Sequence, residues 1–545
     1  MKDWFKTGSP WVWLSAGGVS LSLISVVGLL WLITSNGLSY FWPSQVHQFN
    51  MVDEKGQKSV VIGEIYDRER IPASQLAHRD LGVEIEGDSI ERLLIKTGNR
   101  ELVSLDFRWI LGPQITEQSL PEDIAIVERR SNGNFYGFLE QIILDGEVVD
   151  NSRLDELLDR VNEFQEQIRE LQQVDIGAIN YNLERLRLRE RKHVIDGTLT
   201  DEVKQDLEAQ TQALKEQYQV LEKDLTALRD QVSRDQIVMR AMGGEKVTIN
   251  FEQIIKVTFN NQLGFFGKVA VFFDQIIGFI FDEPREANTE GGVFPAIFGT
   301  VLMVLLMTVI VAPFGVIAAI YLHEYAGKNA FTKLIRIAVI NLAGVPSIVY
   351  GVFGLGFFVY MVGGNLDRLF YPETLPSPTF GTPGVLWSAL TLAILTLPVV
   401  IVSTEEGLAR IPAAMRHGSL ALGATKAETL WRIILPIASP AIMTGIILAI
   451  ARAAGEVAPL MLVGVVKMAP TLPLDGNFPF LHLERKFMHL GFHIYDVGFQ
   501  SPNVEAARPL VYATALLLVT IIIGLNMTAV NIRNKLREKY RALEH

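Results

Sequence analysis

The sequence predicts an α-helical polytopic membrane protein: six transmembrane helices, with a large extracytoplasmic α+β insert between the first and the second. Three observations predict it. Apolar runs long enough to cross a bilayer, which takes about 20 residues, lie at about 11–38, 293–322, 334–362, 385–402, 437–465 and 509–530. Between the first two runs, residues 41–290 are polar and charged. Inside that stretch, residues 152–236 carry heptad seams in two arms.

The whole-chain average hides these two populations. The chain has 545 residues, 49% of them hydrophobic, a net charge of −11 and no cysteine. The acidic balance argues against nucleic-acid binding. The missing cysteines exclude disulfides, thiolate metal sites and cysteine catalysis. There is no Walker A loop, no H-E-x-x-H and no compact histidine cluster. The reading is therefore of a non-enzymatic subunit with no cofactor and no metal, whose energy comes from a partner.

Residues 1–40 hold a short tail and the first span. Trp11, Trp13, Trp31 and Trp42 bracket it, as interface belts do. Its apolar run is too long for a signal h-region and no clear A-x-A site ends it, so it reads as an uncleaved span. The insert 41–290 opens with β-type runs at 58–65, 90–95, 102–110 and 124–129, separated by turns such as Ser131-Asn132-Gly133-Asn134. Two heptad arms follow. The first places Leu154, Leu157, Val161, Phe164, Ile168 and Leu171 on one seam; the second places Leu207, Leu214, Leu221 and Leu228, weakened only at Thr211. Asp196-Gly197 turns the chain between them and Thr200 caps the second arm, so the arms form a coiled-coil hairpin. Strand-type sequence returns at 246–251 and 254–259. The aromatic stretch 265–281 contains Lys268 and Asp274, which predicts an interfacial helix and not a span.

Residues 291–531 supply five further spans, with Pro313 and Pro346 expected to kink theirs. Residues 532–545 form a basic tail. With both termini in the cytoplasm, the inner segments and tail hold fourteen Lys and Arg, and the outer loops hold Arg368, Lys467, Arg485, Lys486 and Arg508. That asymmetry obeys the positive-inside rule and puts the insert outside.

Two constellations carry function. Arg452 and Glu456 lie four residues apart in the fifth run, on one side of a helix. Charges in a span are costly, and they mark a polar pathway or a structural ion pair. The guanidinium fork suits oxyanions.

The second is the loop His417 to Pro436, HGSLALGATKAETLWRIILP. It resembles the EAA loop of ABC-transporter permeases: Gly423, nine residues, then Ile433, Leu435 and Pro436 keep the family spacing. His417, Gly418 and Ser419 stand where the family has Glu-Ala-Ala or Glu-Ala-Ser. In that family the loop is a short cytoplasmic helix docking into an ATPase groove. Here Ala421, Leu422, Ala424, Ala427 and Leu430 give the apolar face, and Lys426, Glu428 and Arg432 the polar one.

The segments GTVLMVLLMTVIVAPFGVIAAIYLHEY, NLAGVPSIVYGVFGLGFF, STEEGLARIP and ILAIARAAGEVAPLMLVG make the resemblance more specific. Together with the loop they resemble the phosphate ABC-transporter permeases of the PstA kind. The resemblance implies a type I importer permease fold in the cell inner membrane. It also implies a second permease of the PstC kind, two ATPase subunits and a periplasmic phosphate-binding protein. The 41–290 insert departs from shorter members of that family; its hairpin is expected to meet the partner permease or the binding protein. A permease for sulfate or molybdate, and a membrane-anchored sensor, are the alternative readings.

Overall fold

The computed structural model describes residues 9–52, 57–75, 88–103, 106–285, 288–327, 329–501 and 504–540. Among them, six helices are long and apolar enough to cross a membrane: Trp11–Ser39, Phe294–Tyr325, Ser347–Phe370, Val385–Ala409, Lys426–Gly455 and Ala507–Lys539. Of the basic residues counted for orientation, Lys2, Lys6, Lys328 and Arg541 lie outside the described residues.

The fourth span is the axis of the bundle, with 67% of its apolar window buried. It packs between the second and fifth spans, where Met303, Met307, Leu392, Ala449, Ala453 and Leu460 share one core. Small residues set this close approach. A Cβ on Gly315 would stand 2.6 Å from Val400, and one on Gly445 would stand 2.8 Å from Ser403. The first span packs on the last near its insert end, where Gly37 faces Tyr512 and Leu516.

Two spans differ from their expected form. The third is not one kinked helix over 334–362. Helix Ala330–Leu342 stops, and a new helix starts at Ser347 with Pro346 as its N-cap. Proline fixes φ and lacks an N–H, so it begins a helix more readily than it continues one. The fifth span likewise does not run to Val465. Helix Leu435–Gly455 ends, Glu456 is extended at φ −81° and ψ 125°, and helix Ala458–Val463 follows. Pro313, by contrast, lies inside a continuous helix.

Among the described residues, the insert contains two large antiparallel sheets and a short ribbon pairing Pro284–Arg285 with Glu290–Gly291. The first has strands Val46–Val52, Lys58–Pro72, Ser89–Lys96, Phe107–Leu111 and Ile115–Ser119, with Val46–Val52 between Lys58–Pro72 and Ile115–Ser119. In the second, Phe135–Leu144 pairs with Ile124–Arg129 and with Gln236–Arg240. Ile124–Arg129 and Phe135–Leu144 are joined by the predicted turn, in which Asn132 and Gly133 both have φ +67°.

The helical arms enter between these paired strands, which fixes their roots side by side. The first arm comprises Leu154–Glu170, a π-type segment Leu171–Ile176 and Gly177–Ile195; the second is Asp201–Ser233. Gly197 takes φ +67° at the turn. Thr200 accepts the Val203 N–H at 3.4 Å, as a capping residue does. On the second arm, Val203, Leu207, Thr211, Leu214, Tyr218, Leu221, Leu225, Leu228 and Val232 are the covered positions apart from the final turn, so the seam faces inward along the arm.

Candidate translocation and coupling sites

The helices that follow the breaks in the third and fifth spans, Ser347–Phe353 and Ala458–Val463, pack on each other. Gly351 abuts Pro459, whose Cα would lie 2.7 Å from an added Cβ. Gly354 abuts Thr391 and Val463 in the same way. The Tyr350 hydroxyl donates to the Leu342 carbonyl at 2.6 Å, satisfying an acceptor freed where the first half-helix stops. Arg452 is close enough to Tyr350 to act on it electrostatically. It lies about 10 Å nearer the insert than Gly445, at 1.5 Å per residue.

Arg452 and Glu456 are brought together. Arg452 Nε is 3.6 Å from Glu456 Oε1, with the two side chains 32% and 21% exposed. The spacing is an ion-pair contact and too long for a good hydrogen bond. The carboxylate therefore leaves the guanidinium fork largely free. The pair does not lie on one helical turn, because the helix ends at Gly455 between the two residues. Peptide groups at such a break line a cavity or meet protein, since lipid cannot satisfy them.

The motif loop is a helix, a turn and the start of the fifth span. Helix Ala413–Ala421 carries His417, Gly418, Ser419 and Ala421. Gly423 takes φ +88° in open space, which favours glycine on backbone grounds alone. Thr425 then caps the next helix, accepting the Glu428 N–H at 3.2 Å while the Glu428 carboxylate takes the Thr425 N–H at 2.9 Å. Lys426 stands at the first position of that helix. Ile433, Leu435 and Pro436 follow at a widened turn. Pro436 has no N–H to bond back, and the Leu435 N–H reaches five residues to the Leu430 carbonyl.

Exposure sorts the loop's faces. His417, Gly418, Ala421, Gly423 and Lys426 are exposed, whereas Ser419 is buried and bonds Thr429 at 2.9 Å. Leu422 is 91% exposed and Trp431 73%. Leu430, expected on the docking face, is instead buried with Leu408, Ile411, Ile434 and Ala438. Of the five residues expected on that face, Ala421, Leu422 and Ala427 stay exposed, and Leu430 is the one that turns into the bundle.

The sequence reading missed the group that fastens this loop. Arg416 donates to Glu324 Oε1 at 3.1 Å, to the Leu408 carbonyl at 2.7 Å and to the Ile411 carbonyl at 2.9 Å. Lys426 donates to the Glu324 carbonyl and stands 4.3 Å from the centre of the Tyr325 ring. The end of the second span is thereby tied to both halves of the motif. The available signal was the H-E-Y triplet at 323–325, polar groups closing an apolar run opposite a basic loop.

On the insert side, the Tyr181 hydroxyl donates to the Phe478 carbonyl at 2.5 Å, and its ring meets His482 edge-on at 5.9 Å. The arm Gly177–Ile195 also packs against Pro372–Thr374. The hairpin is thus seated on the loops at the insert side of its own bundle. Beneath them, His489 and His493 are buried around helix Leu490–Tyr495, and burial pushes both imidazoles down to about 4.

An apolar bundle with two broken helices, a buried-edge ion pair at the breaks and a capped loop on the opposite side defines a membrane transport subunit. Residues 311–538, which hold both sites, match the family "Binding-protein-dependent transport system inner membrane component", and the chain belongs to that family of ABC-transporter permeases. It is 34% identical over 239 residues to the phosphate transport system permease protein PstA of Mycobacterium leprae (strain TN), covering 44% of this chain and 69% of the relative. It is 35% identical over 245 residues to phosphate transport system permease protein PstA 1 of Mycobacterium tuberculosis (strain CDC 1551 / Oshkosh), covering 45% and 71%. It is 31% identical over 245 residues to the probable PstA of Methanocaldococcus jannaschii, covering 44% and 74%.

Proposed function

We propose that this chain is a transmembrane permease subunit of an ATP-driven inorganic phosphate importer. The likeness to several PstA permeases at 31–35% identity carries the reading. The chain sits in the cell inner membrane with both termini in the cytoplasm and residues 41–290 in the periplasm. It forms the path with a second permease of the PstC kind, couples to two ATPase subunits and receives phosphate from a periplasmic binding protein.

Arg452 faces the path and gives bidentate hydrogen bonds to the phosphate oxygens in place of water. Glu456 pairs with Arg452 in the empty path and weakens its hold on the anion, so that the ion leaves as readily as it enters. His417, Gly418, Ala421, Gly423 and Lys426 present the loop to the ATPase, with Leu422 as its apolar knob. Ser419, Ile433, Leu435 and Pro436 hold that loop to the bundle. Two features support this division: the exposure of Leu422 and the ties from Arg416 and Lys426 to the second span.

Uptake of labelled phosphate in a strain lacking its own high-affinity importer tests the reading. The expected outcome is restored phosphate uptake, unaffected by excess sulfate or molybdate. Restored sulfate or molybdate uptake without phosphate uptake would assign a different oxyanion.

A further inference from the structure

Helix Phe265–Phe281 has three faces, and among the described residues two of them have a partner. One face carries Phe272, Ile276 and Phe279. It packs on the end of the first span, with Phe41 rings 6.5 Å from Phe272 and 5.2 Å from Phe279. The same end of the helix is bonded to the start of the second span, where the Val293 N–H donates to the Phe279 carbonyl at 2.9 Å. The polar side holds Lys268, Asp274 and Gln275, and Asp274 is ion-paired to Lys256 of strand Ile254–Thr258 above it.

The third face is apolar and bare. Phe266 is 87% exposed, Phe273 58%, Ile277 57% and Phe281 65%, and Ala270 is exposed between them. Positions 266, 270, 273, 277 and 281 recur every three or four residues, so they form one stripe. At 3.6 residues per turn the stripe lies roughly 160° around the helix from Gln275. A stripe of this kind set against a polar side marks a helix lying in a membrane interface.

The helix is held at the level where two spans leave the bilayer, and its polar side is tied to the insert. We propose that its bare stripe is sunk into the outer-leaflet interface of the phospholipid bilayer. The helix is then a strut: one side holds the insert's sheets, one braces the first two spans and one rests in lipid. It fixes the tilt of the insert, and hence of the hairpin seated on the outer loops, relative to the membrane plane.

The absence of cysteine makes the test direct. Nitroxide is attached at Phe266→Cys, Phe273→Cys and Gln275→Cys, each in the complete transporter in liposomes. Its collision with oxygen, which partitions into lipid, is compared with its collision with a water-soluble nickel chelate. Oxygen collisions exceed nickel collisions severalfold at 266 and 273, and the ratio reverses at 275. Nickel preference at 266 and 273 would put the stripe in water; low access to both reagents would mean another protein covers it. Either result overturns the proposal. A second measurement uses the unaltered chain in liposomes containing a photoactivatable phospholipid. Adducts map to 265–281; their absence there would also overturn it.

Discussion

Arg452 is a cation in a span that keeps most of its fork unoccupied, at a 3.6 Å approach to its neighbouring carboxylate. The proposed role in the path needs that fork open to the anion. Arg452→Lys keeps the charge but loses the bidentate geometry. It should reduce phosphate uptake at least about tenfold, the equivalent of ~1.4 kcal/mol, while membrane abundance stays normal. Arg452→Ala should abolish uptake. Parental uptake in the double variant Arg452→Ala, Glu456→Ala would make the pair a fastener and remove it from the path. Arg416 makes the opposite case. It is partly buried and bonded to Glu324 and to two carbonyls. Arg416→Ala should lower the thermal stability of the purified complex by roughly 2–3 kcal/mol, the scale of lost bonds to a charged group. The sequence exposed the first of these residues because a charge inside an apolar run stands out. It hid the second because an arginine beside a loop looks like any other.

At the scale of elements, the loop's geometry rests on Gly423 at φ +88°. Gly423→Val would strain the turn by roughly 1–2 kcal/mol and re-aim Leu422. The expected result is an intact permease that no longer co-purifies with the ATPase; unchanged co-purification would separate the turn from coupling. The short helix Leu490–Tyr495 gives a pH prediction. His489 and His493 are pushed from 6.5 down to about 4, so the unfolded chain takes up protons in that window and the folded chain does not. Stability should therefore be full above pH 6.5 and fall as pH drops toward 4, by up to about 3 kcal/mol for each histidine. His493→Gln should flatten the melting-temperature curve between pH 7 and 5. An unchanged slope would mean that His493 is not the group taking up the proton.

The element scale also shows what was legible. Heptads, the Asp196-Gly197 turn and the Thr200 cap specify their arms locally, and the structure contains those arms. Strands Val46–Val52, Phe135–Leu144 and Gln236–Arg240 were not read, and two of them are the central strands that root the hairpin. Phe135–Leu144 lacks the alternation that marks a half-exposed strand, since its first three residues are all buried. Gln236–Arg240 directly follows a heptad arm and is only five residues long, too short to show a period of its own. The breaks at 343–346 and 456–457 were visible only as glycines and prolines. That the helices following them pack on each other is a fact of contact between spans far apart in sequence, which no local pattern encodes.

For the whole molecule, one chain joins a transport bundle to an insert that rests on the bundle's own insert-side loops through Tyr181, Phe478 and His482. The proposed orientation puts this side in the periplasm. Cysteine at Thr198, beside the exposed hairpin turn, should react in intact cells with an impermeant maleimide that has crossed only the outer barrier. Labelling only after lysis would invert the topology. The central claim is that this bundle moves phosphate at the expense of ATP hydrolysed by a partner. It is tested most directly by sealing the purified complex in liposomes with ATP and the ATPase subunits inside, and labelled phosphate with its binding protein outside. The account predicts phosphate accumulation that requires ATP, stops with Arg452→Ala and persists in a large excess of sulfate. Accumulation that continues without ATP, or that tracks sulfate and ignores phosphate, would contradict it.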